Sequence, residues 1–186
     1  MECDPINTKD IKQILIASNN ETKKINYKKE KKPRVETLTW DLMDEEMEST
    51  FQYNILKTLL EKDKLTNMTK ITKLIREHIK IKRTSYKQQD INKKRFNNVE
   101  FIEYGDIIEL LIDCELKCHY CACEIFLLYT FVRETKQWTL DRINNDIGHN
   151  KANLVVACLE CNLKRRRTNK DAFMFTKNLK IIREGI

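Results

Sequence analysis

Two Cys-x-x-Cys pairs constrain this chain more than any other feature: Cys118 with Cys121, and Cys158 with Cys161. Such a turn aims two thiolates at one ion, so two of them make a tetrahedral four-sulfur site of the kind that holds structural zinc. The 36 residues 122–157 between the pairs exceed the loop of a compact zinc ribbon and leave room for a β-hairpin and a loop. That loop carries Asp141, Asn144, Asn145, Asp146 and His149, so zinc would hold an oxygen-rich segment against the start of a helix. A zinc knuckle with no chemistry of its own is the simpler alternative.

Cysteine usage agrees with metal rather than disulfides. Seven is an odd count, and six of the seven fall within 114–123 and 158–161 instead of spreading as a disulfide framework does. Cys114 and Cys123 are expected to be spare thiols or core residues. The 186 residues suit one domain, or a small domain with a helical arm. Charged residues at 34 % with only three glycines point to a well-solvated, largely helical chain. No run of apolar residues is long enough to span a membrane, and Met1 to Asp10 lack the basic-then-apolar layout of a secretory signal. The expected location is therefore intracellular, in cytoplasm or nucleus. An excess of lysine over arginine, with abundant Asn and Ile, suggests an AT-rich genome.

The net charge of +7 is concentrated. Residues 164–183 hold eight bases (Lys164, Arg165, Arg166, Arg167, Lys170, Lys177, Lys180, Arg183) against the single acid Asp171, so this segment equals the whole net charge. A polyanion would meet it first. A solvated lysine-rich helix face is the bland alternative; three consecutive arginines directly after a zinc knuckle favour nucleic acid.

Patterning divides the chain into three parts. Residues 1–36 read as a disordered basic tail, with one short amphipathic turn of helix at Ile11, Ile14, Leu15 and Ile16. Residues 37–103 form a helical region. Apolar residues from Leu38 to Leu60 recur at three- and four-residue steps, and a second helix spans Met68 to Ile81, where His78 is a half-buried helix residue rather than a ligand. The acids Asp41 to Glu48 suit an early helix turn better than a metal cluster. Lys82 to Asn98 is polar and basic, a linker or an extended helix. Residues 104–186 form the zinc-containing domain. A buried helix from Tyr104 to Leu116 leads into the first knuckle, strands follow at Ile125–Val132 and Gln137–Ile143, and Asn144–Asn153 is a loop. Leu154 to Ala157 is a short strand and Asn162 opens a basic helix. Thr168 or Asn169 caps a last helix, in which Ala172, Phe173, Phe175, Leu179 and Ile182 pack on the core.

The segment Trp138 to Asn162, with its Leu140-Asp141-Arg142-Ile143 run and Cys158-x-x-Cys161-Asn162 ending, resembles HNH nucleases, the His-Me finger or ββα-metal family. The likeness covers about Cys114 to Thr168. It is closest to the zinc-stapled members, which include phage Holliday-junction resolvases and HNH proteins of large DNA viruses. The fold it implies is α+β: a helical N-terminal half followed by a small zinc-stapled ββα-metal, treble-clef-like HNH domain. It further implies that Asp141 and Asn162 bind a catalytic Mg²⁺ or Mn²⁺, both being hard oxygen donors. Asn153 would fix the loop, and Cys118, Cys121, Cys158 and Cys161 would hold the structural zinc. The implied partner is DNA, contacted through Lys164, Arg165, Arg166, Arg167 and Lys170. A homodimer is the arrangement of the resolvases, and a viral protein acting in its host cell fits the likeness.

One position departs from the family. The residue after the strand-end aspartate is normally the histidine that deprotonates the attacking water, and here it is Arg142. Arginine stays protonated and cannot be a general base, although it can clamp a phosphate oxygen. His149, seven residues on, is the nearest replacement base; His119, inside the first knuckle, is a weaker one. Three functions follow: a metal-dependent DNA endonuclease, a zinc DNA-binding protein without catalysis, or a protein-interaction module scaffolded by zinc. Convergence of Asp141 and Asn162 on one ion would favour the first.

Overall fold

Helix α2 (Lys70–Asn92) is the longest element and positions the others. Thr69 caps it, its Oγ1 accepting from the backbone N of Thr72 at 3.4 Å. Ile71, Ile75 and Ile79 form its apolar stripe and pack with Leu56 and Leu59 of α1 (Ser49–Glu61) and Ile107, Ile108 and Leu111 of α3 (Tyr104–Asp113). The sequence pattern predicts an end at Ile81. The helix instead continues to Asn92, since residues 82–92 contain neither Gly nor Pro and carry a second stripe at four-residue spacing: Lys82, Tyr86 and Asp90. It stops where Lys94 turns left-handed at φ 55°.

The computed structural model describes residues 13–15, 31–61, 68–177 and 179–182. The architecture over these residues is mixed α+β with a helical N-terminal half. Most of the expected tail, 1–36, lies outside the described residues. Its last part does not hang free: Pro33 bridges Phe131, Arg34 N donates to the Thr130 carbonyl at 2.8 Å, and Val132 N donates to that of Lys32 at 2.8 Å. The Arg34 guanidinium stacks on Tyr129, 4.6 Å from the ring centre. Strand β1 (Gln13–Leu15) stands where a helical turn was expected and pairs in parallel with β4 (Lys180–Ile182).

The single helix expected from Leu38 to Leu60 is broken. Short 3₁₀ turns at Val35–Thr39 and Asp44–Met47 precede α1, and Asp41 takes φ 45° between them. The break lets Trp40 bury itself with its ring edge-on to His78, 5.2 Å away.

The expected strand at Ile125–Val132 is also missing. Leu127 and Leu128 are both fully buried, which a strand with alternating faces does not allow on one side. Their backbone is satisfied by a side chain instead: buried Gln52 of α1 accepts from Leu127 N at 2.7 Å and Leu128 N at 3.0 Å through Oε1, and donates to the Met47 and Leu128 carbonyls. Past this segment, β2 (Trp138–Arg142) pairs antiparallel with β3 (Leu154–Cys158), Asp141 lying opposite Val155. The chain runs directly from β3 into α4 (Leu159–Arg165), whose N-cap is Cys158.

Asn169 caps α5 (Lys170–Lys177), accepting from Asp171 N and Ala172 N. Phe173 seats this helix edge-on against Tyr120, 5.0 Å between ring centres. The last helix therefore ends before Leu179 and Ile182, which were expected to continue it.

Candidate functional site

Two knuckles bring four sulfurs together. After α3, Glu115 and Leu116 both adopt left-handed φ, which turns the chain so that Leu116 is buried and Cys118 faces inward. A tight turn follows, with Cys118 N donating to the Cys123 carbonyl and Ala122 N to that of Cys118. The sulfurs of Cys118, Cys121, Cys158 and Cys161 lie within 4.8 Å of one another, and Cys121 and Cys158 are 3.9 Å apart. A tetrahedral ion with metal–sulfur bonds of about 2.3 Å spaces its sulfurs about 3.8 Å apart. The four cysteines thus fit a metal ion such as zinc. Cys123, expected to be a bystander, has its Sγ 3.3 Å from that of Cys121. Crowding forces the thiols to share protons unequally: hydrogen bonds from Cys121 and the other sulfurs drive Cys118 far below its ordinary range, and Cys118 in turn pushes Cys161 up.

Against β2 and α4 lies a cavity of about 630 Å³ lined by Asp141, Arg142, His149 and Asn162. Five cations share its wall, Lys93, Arg95, Arg142, Arg166 and Arg167. Helix α2 builds this side through its second stripe. Lys82 Nζ donates to the Trp138 carbonyl, the Tyr86 hydroxyl accepts from Leu140 N at 3.0 Å, and Asp90 reaches the 144–153 loop. Lys82 and Tyr86, one turn apart, therefore hold β2 against the helix, and Asp90, one turn further, holds the loop.

His149 is held from three directions. Its backbone N donates to Asp90 Oδ2 at 2.6 Å, its Nδ1 lies 2.9 Å from Asp90 Oδ1, and its ring stacks on Tyr86 at 4.5 Å. An ionised carboxylate only accepts, so the ring proton sits on Nδ1 and Nε2 carries the lone pair. Burial pulls the His149 pKa below its ordinary value, and Asp90 opposes this only in part. Arg142 Nη1 approaches the same Asp90 oxygen at 3.7 Å. Gly148 leaves room for the arrangement: a Cβ there would come within 2.6 Å of the Arg95 carbonyl and 2.9 Å of Asp90 Oδ2.

Asn153 spans the loop with its amide. Nδ2 donates to the Asn144 and Gly148 carbonyls at 2.9 and 3.0 Å, and Oδ1 accepts from Asn144 N at 2.8 Å. At the loop's outer edge, Asp146 pairs with Arg167 at 2.8 Å and Arg95 at 3.5 Å.

Asp141 lines the cavity, but its carboxylate is not free to act as a metal ligand. Arg165 grips it bidentately, Nε to Oδ2 at 2.5 Å and Nη2 to Oδ1 at 2.9 Å, and the Tyr120 hydroxyl donates to Oδ2 at 2.7 Å. Both oxygens are engaged and the charge is already balanced, so Asp141 does not fit a hard divalent cation, which needs charged oxygen donors. Asn162, the second expected ligand, donates through Nδ2 to Thr139 Oγ1 at 3.0 Å.

The basic run is also sorted differently from the sequence expectation. Arg165 is fully buried, so it is not a DNA contact. It faces inward because its place on α4 puts it over β2. Arg166 and Arg167 are exposed and line the cavity. Lys164 pairs with Glu160 and lines a neighbouring groove, and Lys170 pairs with Asp171. His119 is exposed and does not line this cavity. Asp90 is the residue the sequence reading misses; its signal is the four-residue spacing from Lys82 through Tyr86.

No protein-family model, curated protein or solved structure matches the chain. Among the described residues, no helix is long and apolar enough to cross a membrane.

Proposed function

We propose that the chain is a DNA endonuclease of the HNH type, a ββα module stapled by zinc, which takes a phosphodiester into the basic cavity and uses His149 as general base. The observation that carries this reading is His149, which lines a cavity with five cations and is hydrogen-bonded through Nδ1 to the buried Asp90 behind it. Asp90 fixes the ring and its tautomer, which is what a base acting through Nε2 requires. Nε2 takes a proton from water as the water oxygen bonds to phosphorus. The bond from phosphorus to the leaving sugar oxygen breaks, and that oxygen takes a proton from solvent. Arg142, Arg166 and Arg167 line the wall, where cations stabilise the charge that grows on the non-bridging oxygens. Zinc on Cys118, Cys121, Cys158 and Cys161 would hold the fold and supply no chemistry, its four positions being filled by sulfur.

Nicking of supercoiled plasmid and cleavage of junction, flap and single-stranded DNA test the reading. His149→Ala should slow cleavage by about two orders of magnitude or more, with DNA affinity largely kept.

A second reading, DNA binding without cleavage, is favoured by the engagement of both Asp141 oxygens with Arg165 and Tyr120. Wild-type protein that binds DNA with steep salt dependence yet cuts none of these substrates would establish it over the first.

A further inference from the structure

We infer that Arg165 has taken the place of the divalent cation at Asp141: the guanidinium is a built-in positive charge, and the strand-end carboxylate is closed to Mg²⁺ and Mn²⁺. This rests on the reading of the cavity as a phosphodiester site, but its test reads a metal ion and stands whether or not cleavage is ever seen.

Arg165 lies one turn beyond Asn162 on α4, so the helix that would deliver the second metal ligand delivers a cation instead. The side chain is fully buried, and four of its N–H bonds are committed. Two go to the two oxygens of Asp141; Nη1 donates to the Thr168 carbonyl at 2.6 Å and Nη2 also to the Arg142 carbonyl at 2.5 Å. An ion entering at Asp141 would meet a fixed like charge in a buried setting, where screening is weak. Moving the arginine aside would leave two backbone carbonyls without their donor. Tyr120 holds Oδ2 from the other side, so Asp141 cannot simply rotate toward the cavity without breaking a third bond. The carboxylate and its arginine thus form a neutral strut between β2 and the end of α4. The positive charge presented to a phosphate comes from the cavity arginines, and it does not depend on free metal.

Manganese titration with electron paramagnetic resonance tests this on the full chain, because bound Mn²⁺ loses the sharp signal of the free ion. Thiolate sites favour softer ions, so the four-cysteine cluster does not compete. Wild type and Asp141→Asn should titrate identically. Arg165→Met, which keeps bulk and removes charge, should take up one additional Mn²⁺ per chain, lost again in the Arg165→Met, Asp141→Asn double variant. An Mn²⁺ bound by wild type and lost in Asp141→Asn overturns the inference, and so does a folded Arg165→Met that gains none. If Arg165→Met does not fold, the comparison of wild type with Asp141→Asn decides alone. A failed nuclease assay leaves these outcomes unchanged, which separates this inference from the function proposed above.

Discussion

Asp90 binds His149 twice, through the backbone N at 2.6 Å and the ring Nδ1 at 2.9 Å, so a single carboxylate fixes both where the histidine is and how its ring is turned. The carboxylate comes from the last turn of α2, where a negative charge opposes the helix dipole. It is buried there nonetheless, and the partners that offset the cost are His149 and Arg142. Helix and loop are 59 residues apart in sequence, and this contact ties them together.

Removing the charge of Asp90 should therefore change the histidine before it changes the fold. Asp90 raises the His149 pKa against the larger opposing effect of burial, so Asp90→Asn should move the His149 titration to still lower pH, as followed by its ring proton resonances in NMR. Cleavage should fall by about two orders of magnitude or more as the tautomer is lost. Gly148→Ala should act in the same direction, since its methyl would press on Asp90 and on the Arg95 carbonyl. An unchanged His149 titration in Asp90→Asn would mean that the pair is not coupled.

Acid should weaken the protein through His78. Burial, aided by Arg34 and Lys82, lowers its pKa to about 4, so the unfolded chain takes up the proton first as pH falls. Stability is therefore unaffected by this group above about 6.5, declines between 6.5 and about 4, and levels off below. His149, shifted the same way, adds to the decline. Thermal melts across this range should show a shallower slope in His78→Phe, which separates the histidine from acid release of any bound metal; equal slopes would remove His78 from the account.

What was legible in the sequence was local. The knuckles, β2 and β3 follow from side-chain period and cysteine spacing over a few residues, and the structure has both strands within one position of their expected ends; α4 starts at Leu159, three residues before the expected Asn162, because Cys158 caps it. The misses depend on partners distant in sequence. Asp90 looks like one more polar residue until its helix is placed beside the 144–153 loop. Arg165 cannot be told from Arg166 and Arg167 by composition, only by knowing that α4 turns that position over Asp141. Ile125–Val132 has strand composition, but a side chain 75 residues away, Gln52, supplies the hydrogen bonds that a neighbouring strand would have given.

Gln52 should accordingly be among the costliest polar residues to lose. Gln52→Leu keeps the volume but leaves Leu127 N and Leu128 N buried without an acceptor, at about 1–3 kcal/mol for each unsatisfied group. A Tm drop of several degrees with the 125–132 segment newly open to hydrogen exchange is the expected result. Wild-type protection of that segment in a folded Gln52→Leu would show that another group takes over.

The three consecutive arginines should separate cleanly. Reversing Arg166 and Arg167 to Glu removes two exposed cavity charges, and should weaken DNA binding while flattening its salt dependence by about 0.9 per lost phosphate contact. Melting should move little, since Arg167 is exposed and its ion pair among the described residues is with exposed Asp146. Arg165→Met should do the reverse, lowering Tm by leaving the buried Asp141 carboxylate without its counter-charge, with the salt slope kept. A salt slope that responds to Arg165→Met as strongly as to the double reversal would put the DNA elsewhere.

The metal site should tolerate one cysteine loss and not another. Purified protein is expected to carry one zinc per chain, measured by elemental analysis. Cys158 closes β3, caps α4 and accepts from Cys161 N at 3.4 Å, so Cys158→Ser should lose the metal and unfold the sheet and helix together. Cys121 sits differently, because Cys123 Sγ lies 3.3 Å away on the same turn. In Cys121→Ser the neighbouring thiol can move onto the ion, so zinc should be retained with weakened affinity against a chelator. Cys121→Ser with Cys123→Ser should then lose it. If Cys121→Ser alone is already metal-free and Cys123→Ser is silent, the fifth sulfur is a packing residue. If the folded wild type contains no zinc, the four-sulfur site is not a zinc site.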